Sequence, residues 1–170
     1  TEALKEYIPE SLVSAADDSV VEISPSRIRA IEGIAERLRC APGIALIVDY
    51  GPAESAVGET LQALGPQGFA DPYSEPGAVD LSAHVDFSSL KRAAENAGVS
   101  AHGPITQKDF LERLGINQRA DMLKNDATPE QRAEIDSTLM RLLAPAQMGS
   151  LFKALTLTSP GLPAPPGFAT

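Results

Sequence analysis

The chain has 170 residues, enough for one domain with a substantial core, and its 43% hydrophobic and 22% charged residues argue against wholesale disorder. With 23 Asp+Glu against 14 Lys+Arg the formal charge is −9, and no stretch concentrates Lys or Arg, which argues against a nucleic-acid surface. Cys40 is the single cysteine and His84 and His102 are the two histidines, so an internal disulfide, a cysteine zinc cage and a transition-metal site are all disfavoured, as is a membrane helix, since no apolar run nears ~20 residues.

The first clear helix begins at Ser24, a good N-cap, with Pro25 in the first turn. Ile28, Ile31, Ile34 and Leu38 recur at helical spacing, and Pro42-Gly43 breaks the chain after about Arg39. Ile44-Ala45-Leu46-Ile47-Val48 follows as a continuous apolar run, which reads as a strand covered on both faces in a parallel α/β sheet. From Asp49-Tyr50-Gly51 to about Ala83 the chain is rich in Gly and Pro, including Gly65-Pro66-Gln67-Gly68 and Glu75-Pro76-Gly77. A long loop is expected there, leaving the carboxyl end of a buried strand, where open α/β sheets bind ligands. The glycine-rich phrase does not open a helix after a strand, so it is weak as a phosphate site.

A second helix is expected after Asp86 or Ser88, burying Phe87, Leu90, Ala94 and Ala97 and stopping at Gly98. Residues 99–102 read as a short strand before Gly103-Pro104. Thr106 opens a third helix with Phe110, Leu111 and Leu114, closed by Gly115. Thr128-Pro129-Glu130-Gln131 is a capping box that starts a fourth helix burying Ile135, Leu139, Leu142 and Leu143. Phe152 to Thr158 reads as a strand at or near a sheet edge, and the proline-rich 160–170 as an extended arm. The order is α/β. Three strands are few for such a sheet; unless short segments such as 19–23 supply neighbours, the remaining strands are expected from sequence outside the chain. The start at Thr1, with no signal peptide, points the same way: an intracellular protein that is processed or part of something longer.

An ordered series of phrases carries more information than any one of them. It runs Val21-Glu22-Ile23-Ser24-Pro25, Leu46-Ile47-Val48-Asp49-Tyr50-Gly51, Asp80-Leu81-Ser82-Ala83-His84-Val85-Asp86-Phe87, Gly103-Pro104-Ile105-Thr106-Gln107-Lys108-Asp109-Phe110-Leu111, Met148-Gly149-Ser150-Leu151-Phe152-Lys153 and Pro166-Gly167-Phe168. From about Val20 to Phe168 this series resembles the MidA-like S-adenosylmethionine-dependent methyltransferases of bacteria and mitochondria. That family includes a complex I assembly factor that methylates protein arginine. The resemblance implies the C-terminal part of a Rossmann-like class I methyltransferase sheet over 1–159, with a long loop at 50–83 and a helical insertion at 106–147. The strand ending Asp49-Tyr50-Gly51 would be the fifth of that sheet, and the last two strands its closing antiparallel pair. The family's glycine-rich cofactor loop, the acidic residue after its second strand and its Asn-Glu motif precede this segment and are not in it. Gln62 stands where the family commonly has arginine.

What the resemblance implies for chemistry is a methyltransferase of protein arginine whose S-adenosylmethionine is held mainly by an absent N-terminal half. That half and a protein substrate are the expected partners, a homodimer is left open, and neither nucleic acid nor membrane is expected. The location would be bacterial cytoplasm or mitochondrial matrix, and the chain alone would be inactive. Asp49, His84 and Asp86 are the candidate catalytic residues, with the two carboxylates suited to steering a guanidinium, and Tyr50 and Gly51 are the candidate cofactor contacts. Each has a plainer reading. Asp49 can cap a turn, Tyr50 can be a packed tyrosine, Asp86 reads first as an N-cap, and His84 reads as a structural histidine or as a general base. Lys153 reads as a snorkelling strand residue, Met148 and Phe152 as core, and Gln107 as a helix-start residue with a solvent-facing amide or as part of a pocket. A non-catalytic interaction module that keeps the fold is the competing function. A hydrolase using His84 lacks a visible activated nucleophile.

Overall fold

The computed structural model describes residues 2–66, 68–74 and 77–169; Gln67 of the glycine-rich phrase, Glu75-Pro76 of the expected loop, and Thr1 and Thr170 lie outside the described residues. After two short 3-10 turns, helix α1 (Pro25–Cys40) starts where the cap signal places it, with the Ser24 hydroxyl accepting from the Arg27 N–H at 3.4 Å. Its buried stripe is Ile31, Ala35 and Leu38, with Ile28 and Ile34 partly covered. Strand β1 (Ile44–Tyr50) follows. Helix α2 (Phe87–Asn96) and strand β5 (Ser100–Thr106) are separated by Gly98, whose φ of +82° makes the left-handed turn that ends a helix. Helices α3 (Gln107–Arg113), α4 (Ile116–Asn125), α5 (Pro129–Leu143) and the short α6 (Met148–Leu151) then lead into strand β6 (Phe152–Thr158).

The main sheet has the order β1-β6-β5 and is antiparallel throughout. Ala45 and Ile47 pair with Leu157 and Leu155, so these four share one face. On that face α1 and α2 pack Ile31, Ala35, Leu38, Phe87, Leu90 and Ala94 into the core. Phe87, Leu155 and Leu157 are fully buried, and such side chains each contribute about 1.5–3 kcal/mol. Buried Ser159 closes the end of the sheet, donating to the Leu38 carbonyl at 2.6 Å and accepting from the Gly43 N–H at 2.9 Å.

Several expectations are corrected. The apolar run at 44–48 is not covered on both faces and not parallel among the described residues. It is an edge strand, with β6 as its one partner and Ile44, Leu46 and Val48 exposed on the face away from α1 and α2. The stretch 19–23 forms no strand. The expected long loop carries a second sheet of order β3-β2-β4, built from β2 (Gln62–Gly65), β3 (Gly68–Ala70) and β4 (Asp80–Ser82). Strand β5 does not stop before Gly103-Pro104; it runs through that cis peptide with a register shift between His102 and Ile105. Strand β6 is central, not an edge, with residues 154–158 buried. Helix α4, which no cap announced, lies inside the insertion, and the apolar positions of α5 are only half-buried. Met148 and Phe152 are likewise half-buried. The 160–170 arm is not free of the core: Phe168 is buried, with its ring 5.2 Å from that of Phe110. Gln107 is also buried, and its amide donates to the Leu142 carbonyl at 2.9 Å, tying α3 to α5. Among the described residues no helix is long and apolar enough to cross a membrane, and no group of three or more His, Cys, Asp and Glu could hold a metal ion.

Candidate functional site

The carboxyl end of β1 turns sharply at Gly51. A Cβ there would lie 2.1 Å from the Val85 carbonyl oxygen, so only glycine lets the segment before α2 cross so close. The crossing is fixed by the Val85 N–H donating to the Tyr50 carbonyl at 3.0 Å and by the Gly51 N–H donating to the Leu151 carbonyl at 3.1 Å. The Lys153 ammonium donates to the carbonyls of Gly51, Ser150 and Leu151, and burial pulls its pKa below the ordinary lysine value. Lys153, half-buried, therefore ties the strand end to α6.

This crossing delivers His84 and Asp86 to a cleft of about 380 Å³ between residues 22–28, the chain after Gly51, and the start of α2. The Tyr50 ring stands edge-on to His84 at 5.6 Å and to Phe152 at 5.5 Å, an aromatic row along the floor of the crossing. Asp86 is the α2 N-cap. One carboxylate oxygen accepts from the Ser89 N–H at 3.0 Å, and the other accepts from the hydroxyls of Ser89 at 2.6 Å and Ser55 at 2.7 Å. Asp49 stands opposite Lys153 in the sheet register, and its carboxylate accepts from the Tyr50 N–H at 2.8 Å. Of the five residues singled out from sequence, His84 and Asp86 line the cleft, Tyr50 supports His84 from behind, Gly51 makes the crossing, and Asp49 does not line the cleft.

Three cleft residues escaped the sequence reading. The Glu22 carboxylate accepts from the Thr60 N–H at 2.8 Å, the Leu61 N–H at 3.1 Å and, in a short contact, the Thr60 hydroxyl. Burial pushes its pKa up, but those three donors and the nearby His84 together hold it below the ordinary glutamate value. The Thr60 hydroxyl in turn accepts from the His84 N–H at 3.0 Å. Arg27, one turn into α1, donates to the His84 carbonyl at 2.6 Å and the Ala83 carbonyl at 3.1 Å. Glu22, Thr60 and Arg27 thus hold the His84 backbone from two sides. The available signal was Glu22 inside the Val21-Glu22-Ile23-Ser24-Pro25 phrase; its partner lies 38 residues away, a distance no local pattern spans.

The model of a family of S-adenosyl-L-methionine-dependent methyltransferases matches residues 1–105. The chain belongs to that family. It is 39% identical over 140 residues to "Protein arginine methyltransferase NDUFAF7 homolog, mitochondrial" of Drosophila melanogaster, covering 82% of this chain and 32% of that protein. It is 33% identical over 138 residues to the human "Protein arginine methyltransferase NDUFAF7, mitochondrial", covering 81% of this chain and 31% of that one. The chain therefore spans about a third of the length of these curated relatives. Among solved structures, a protein from Burkholderia thailandensis aligns with a TM-score of 0.71 at 25% identity, over 86% of this chain and 38% of its own. A second Burkholderia thailandensis protein, solved with S-adenosyl-homocysteine bound, aligns with a TM-score of 0.65 at 24% identity over 84% of this chain and 36% of its own. The α/β methyltransferase fold that the residues suggested is the fold these structures share with the chain.

Proposed function

We propose that the chain is the substrate-facing part of an S-adenosylmethionine-dependent protein arginine methyltransferase of the class that serves complex I assembly, working in bacterial cytoplasm or the mitochondrial matrix. The observation that carries this reading is the placement of His84, pinned by Glu22, Thr60 and Arg27, in a cleft beyond the carboxyl end of β1. The names of the relatives, "Protein arginine methyltransferase", supply the reaction class.

The cofactor carries a sulfonium, an adenosine and an amino-acid end, and a site for it needs free acceptors for the ribose hydroxyls and the ammonium beside a close backbone approach. In this cleft the Glu22 and Asp86 carboxylates already accept hydrogen bonds from the protein itself. The residues present fit a wall beside the cofactor and do not by themselves hold it. Its binding part belongs, on this reading, to sequence outside the chain, docked on the open edge of β1 and the exposed row Ile44, Leu46 and Val48. The residues of this chain supply orientation. Methylation of a guanidinium nitrogen releases a proton, and His84, whose backbone is held at the cleft, is the residue that would accept it as general base. The carbonyls of residues 83 and 84 are already taken by Arg27, so the His84 segment cannot swing away when a guanidinium enters.

The test is methyl transfer from labelled S-adenosylmethionine to arginine of an acceptor protein, using a protein of the relatives' full length that ends in this chain. His84→Ala should lower the rate by about 10²-fold with cofactor affinity unchanged. An unchanged rate removes His84 from the reaction, and labelling of residues other than arginine removes the acceptor class. Calorimetric titration of the 170-residue chain alone should show no S-adenosylmethionine binding; binding would overturn the division of labour. A non-catalytic assembly module has one observation in its favour: both cleft carboxylates are engaged inside the chain, each accepting three hydrogen bonds. Retained partner binding with no methyl transfer at full length would select it.

A further inference from the structure

The β3-β2-β4 sheet turns an unusual face outward. Leu64 pairs with Phe69 on one side and with Asp80 on the other, so an aromatic ring, an aliphatic side chain and a carboxylate stand in one row across the three strands. Strand spacing places Phe69 and Asp80 about 10 Å apart along that row. Phe69 is 82% exposed and Leu64 54%, while Ala63, which faces the other way, is buried. In the turn that follows β3, Tyr73 is 78% exposed, and its N–H donates to the Asp71 carboxylate at 2.9 Å. Lone exposed apolar residues are ordinary, but a phenylalanine and a leucine paired across neighbouring strands and both open to solvent are a surface prepared for a partner.

The charge of the region says what kind of partner. Between Arg39 and Lys91 the sequence has no Lys or Arg, yet it holds Asp49, Glu54, Glu59, Asp71, Glu75, Asp80 and Asp86. An aromatic face flanked by carboxylates, with no competing cation in that stretch of chain, is complementary to guanidinium groups. The planar cation stacks on a ring while its N–H fork reaches a carboxylate. We propose that the outer face of this sheet, centred on Phe69, Leu64 and Asp80, docks an arginine-bearing basic segment of the acceptor polypeptide. The proposal deepens the methyltransferase reading and rests on it for the identity of the partner as the methyl acceptor. Strand β4 ends at Ser82, two residues before His84, so a segment lying on this face is led toward the cleft.

The test is binding, which needs neither cofactor nor catalysis. A fluorescein-labelled peptide of alternating glycine and arginine is titrated against the 170-residue chain by anisotropy at low salt. Binding should be weakened at least about fivefold by Phe69→Ser and by Asp80→Asn. Both sites are exposed, and an unchanged circular dichroism melt will show that neither variant unfolds the sheet. Replacing arginine by lysine in the peptide should weaken binding, because the ammonium loses the flat stacking geometry. Equal binding by wild type and both variants reduces the contact to diffuse charge attraction and overturns the proposal. Absence of binding, with the same face protected from hydrogen exchange by a second copy of the chain or by the remainder of a full-length protein, overturns it also. Arginine methylation at full length together with no peptide binding here would sink this docking face and leave the enzymatic reading intact. Peptide binding without methylation would do the reverse.

Discussion

Strands β1 and β6 have equal length and a shared register, and β1 is the more apolar of the two, yet it is far the less buried. Ala154, Leu155, Leu157 and Thr158 are all fully buried in β6, whereas Ile44, Leu46 and Val48 in β1 are 54%, 53% and 46% exposed. The difference is one of neighbours. Strand β6 has a strand on each side, and both its faces are covered. Strand β1 has one strand beside it and helices over one face. An apolar strand left half-open offers an edge and a bare face for further pairing, which is why the docking proposed above is placed there.

The sharpest way to probe that border is at its closed end. Gly51→Ala puts a methyl group against backbone atoms of Val85, at 2.1 Å from its oxygen and 2.6 Å from its nitrogen, where no side chain can move aside. A loss of at least about 4 kcal/mol in urea unfolding, or failure to fold, is expected; a stable variant would mean the β1–α2 crossing is looser than described. Next in size is the direct comparison of the two strands. Leu157→Ala should cost about 3–5 kcal/mol, because it empties a fully buried site. Leu46→Ala should cost the isolated chain less than about 1 kcal/mol, since half of that side chain already meets solvent. Equal losses would erase the distinction between closed and open strands.

A more modest effect than the loss of Leu157 concerns the cleft. Glu22→Gln removes the charge from the acceptor of three hydrogen bonds and should lower stability by about 1–2 kcal/mol at pH 7. Because the Glu22 pKa is held below the ordinary value, its contribution is present above the unfolded value of about 4.3 and is lost as pH falls through the lower folded value. The gap between wild type and variant should therefore close as pH falls below about 4.3 and through the lower folded value. A gap that stays constant across that window would show that the carboxylate charge does not hold residues 60–61.

Much of this molecule was legible from short-range rules. The caps at Ser24, Asp86, Thr106 and Thr128 all form, each side chain accepting from a backbone N–H three residues on. Those signals are local, so a single sequence carries them. Helix α4 had no such signal. Its start is Gly115, which makes no side-chain cap and also ends α3, so one glycine hid two helix ends. The β3-β2-β4 sheet was hidden for a similar reason. Its strands are only 3–4 residues long, two of them with both Gly and Ala, too short for alternation to register.

The sequence by itself determined the starts of α1, α2, α3 and α5, the apolar stripe of α1, the strand that ends in Asp49-Tyr50-Gly51 and the presence of His84 and Asp86 beyond it. The series of phrases also sufficed to place the chain among methyltransferases. Only the tertiary structure decided which strand is central, which face of β1 is bare and why Gly51 must be glycine. It alone brought Glu22 and Thr60 together across 38 residues to hold His84, and it alone seated Phe168 on Phe110. Those outcomes depend on what packs beside a residue, and a periodic pattern encodes which side chains prefer to be covered without encoding what covers them.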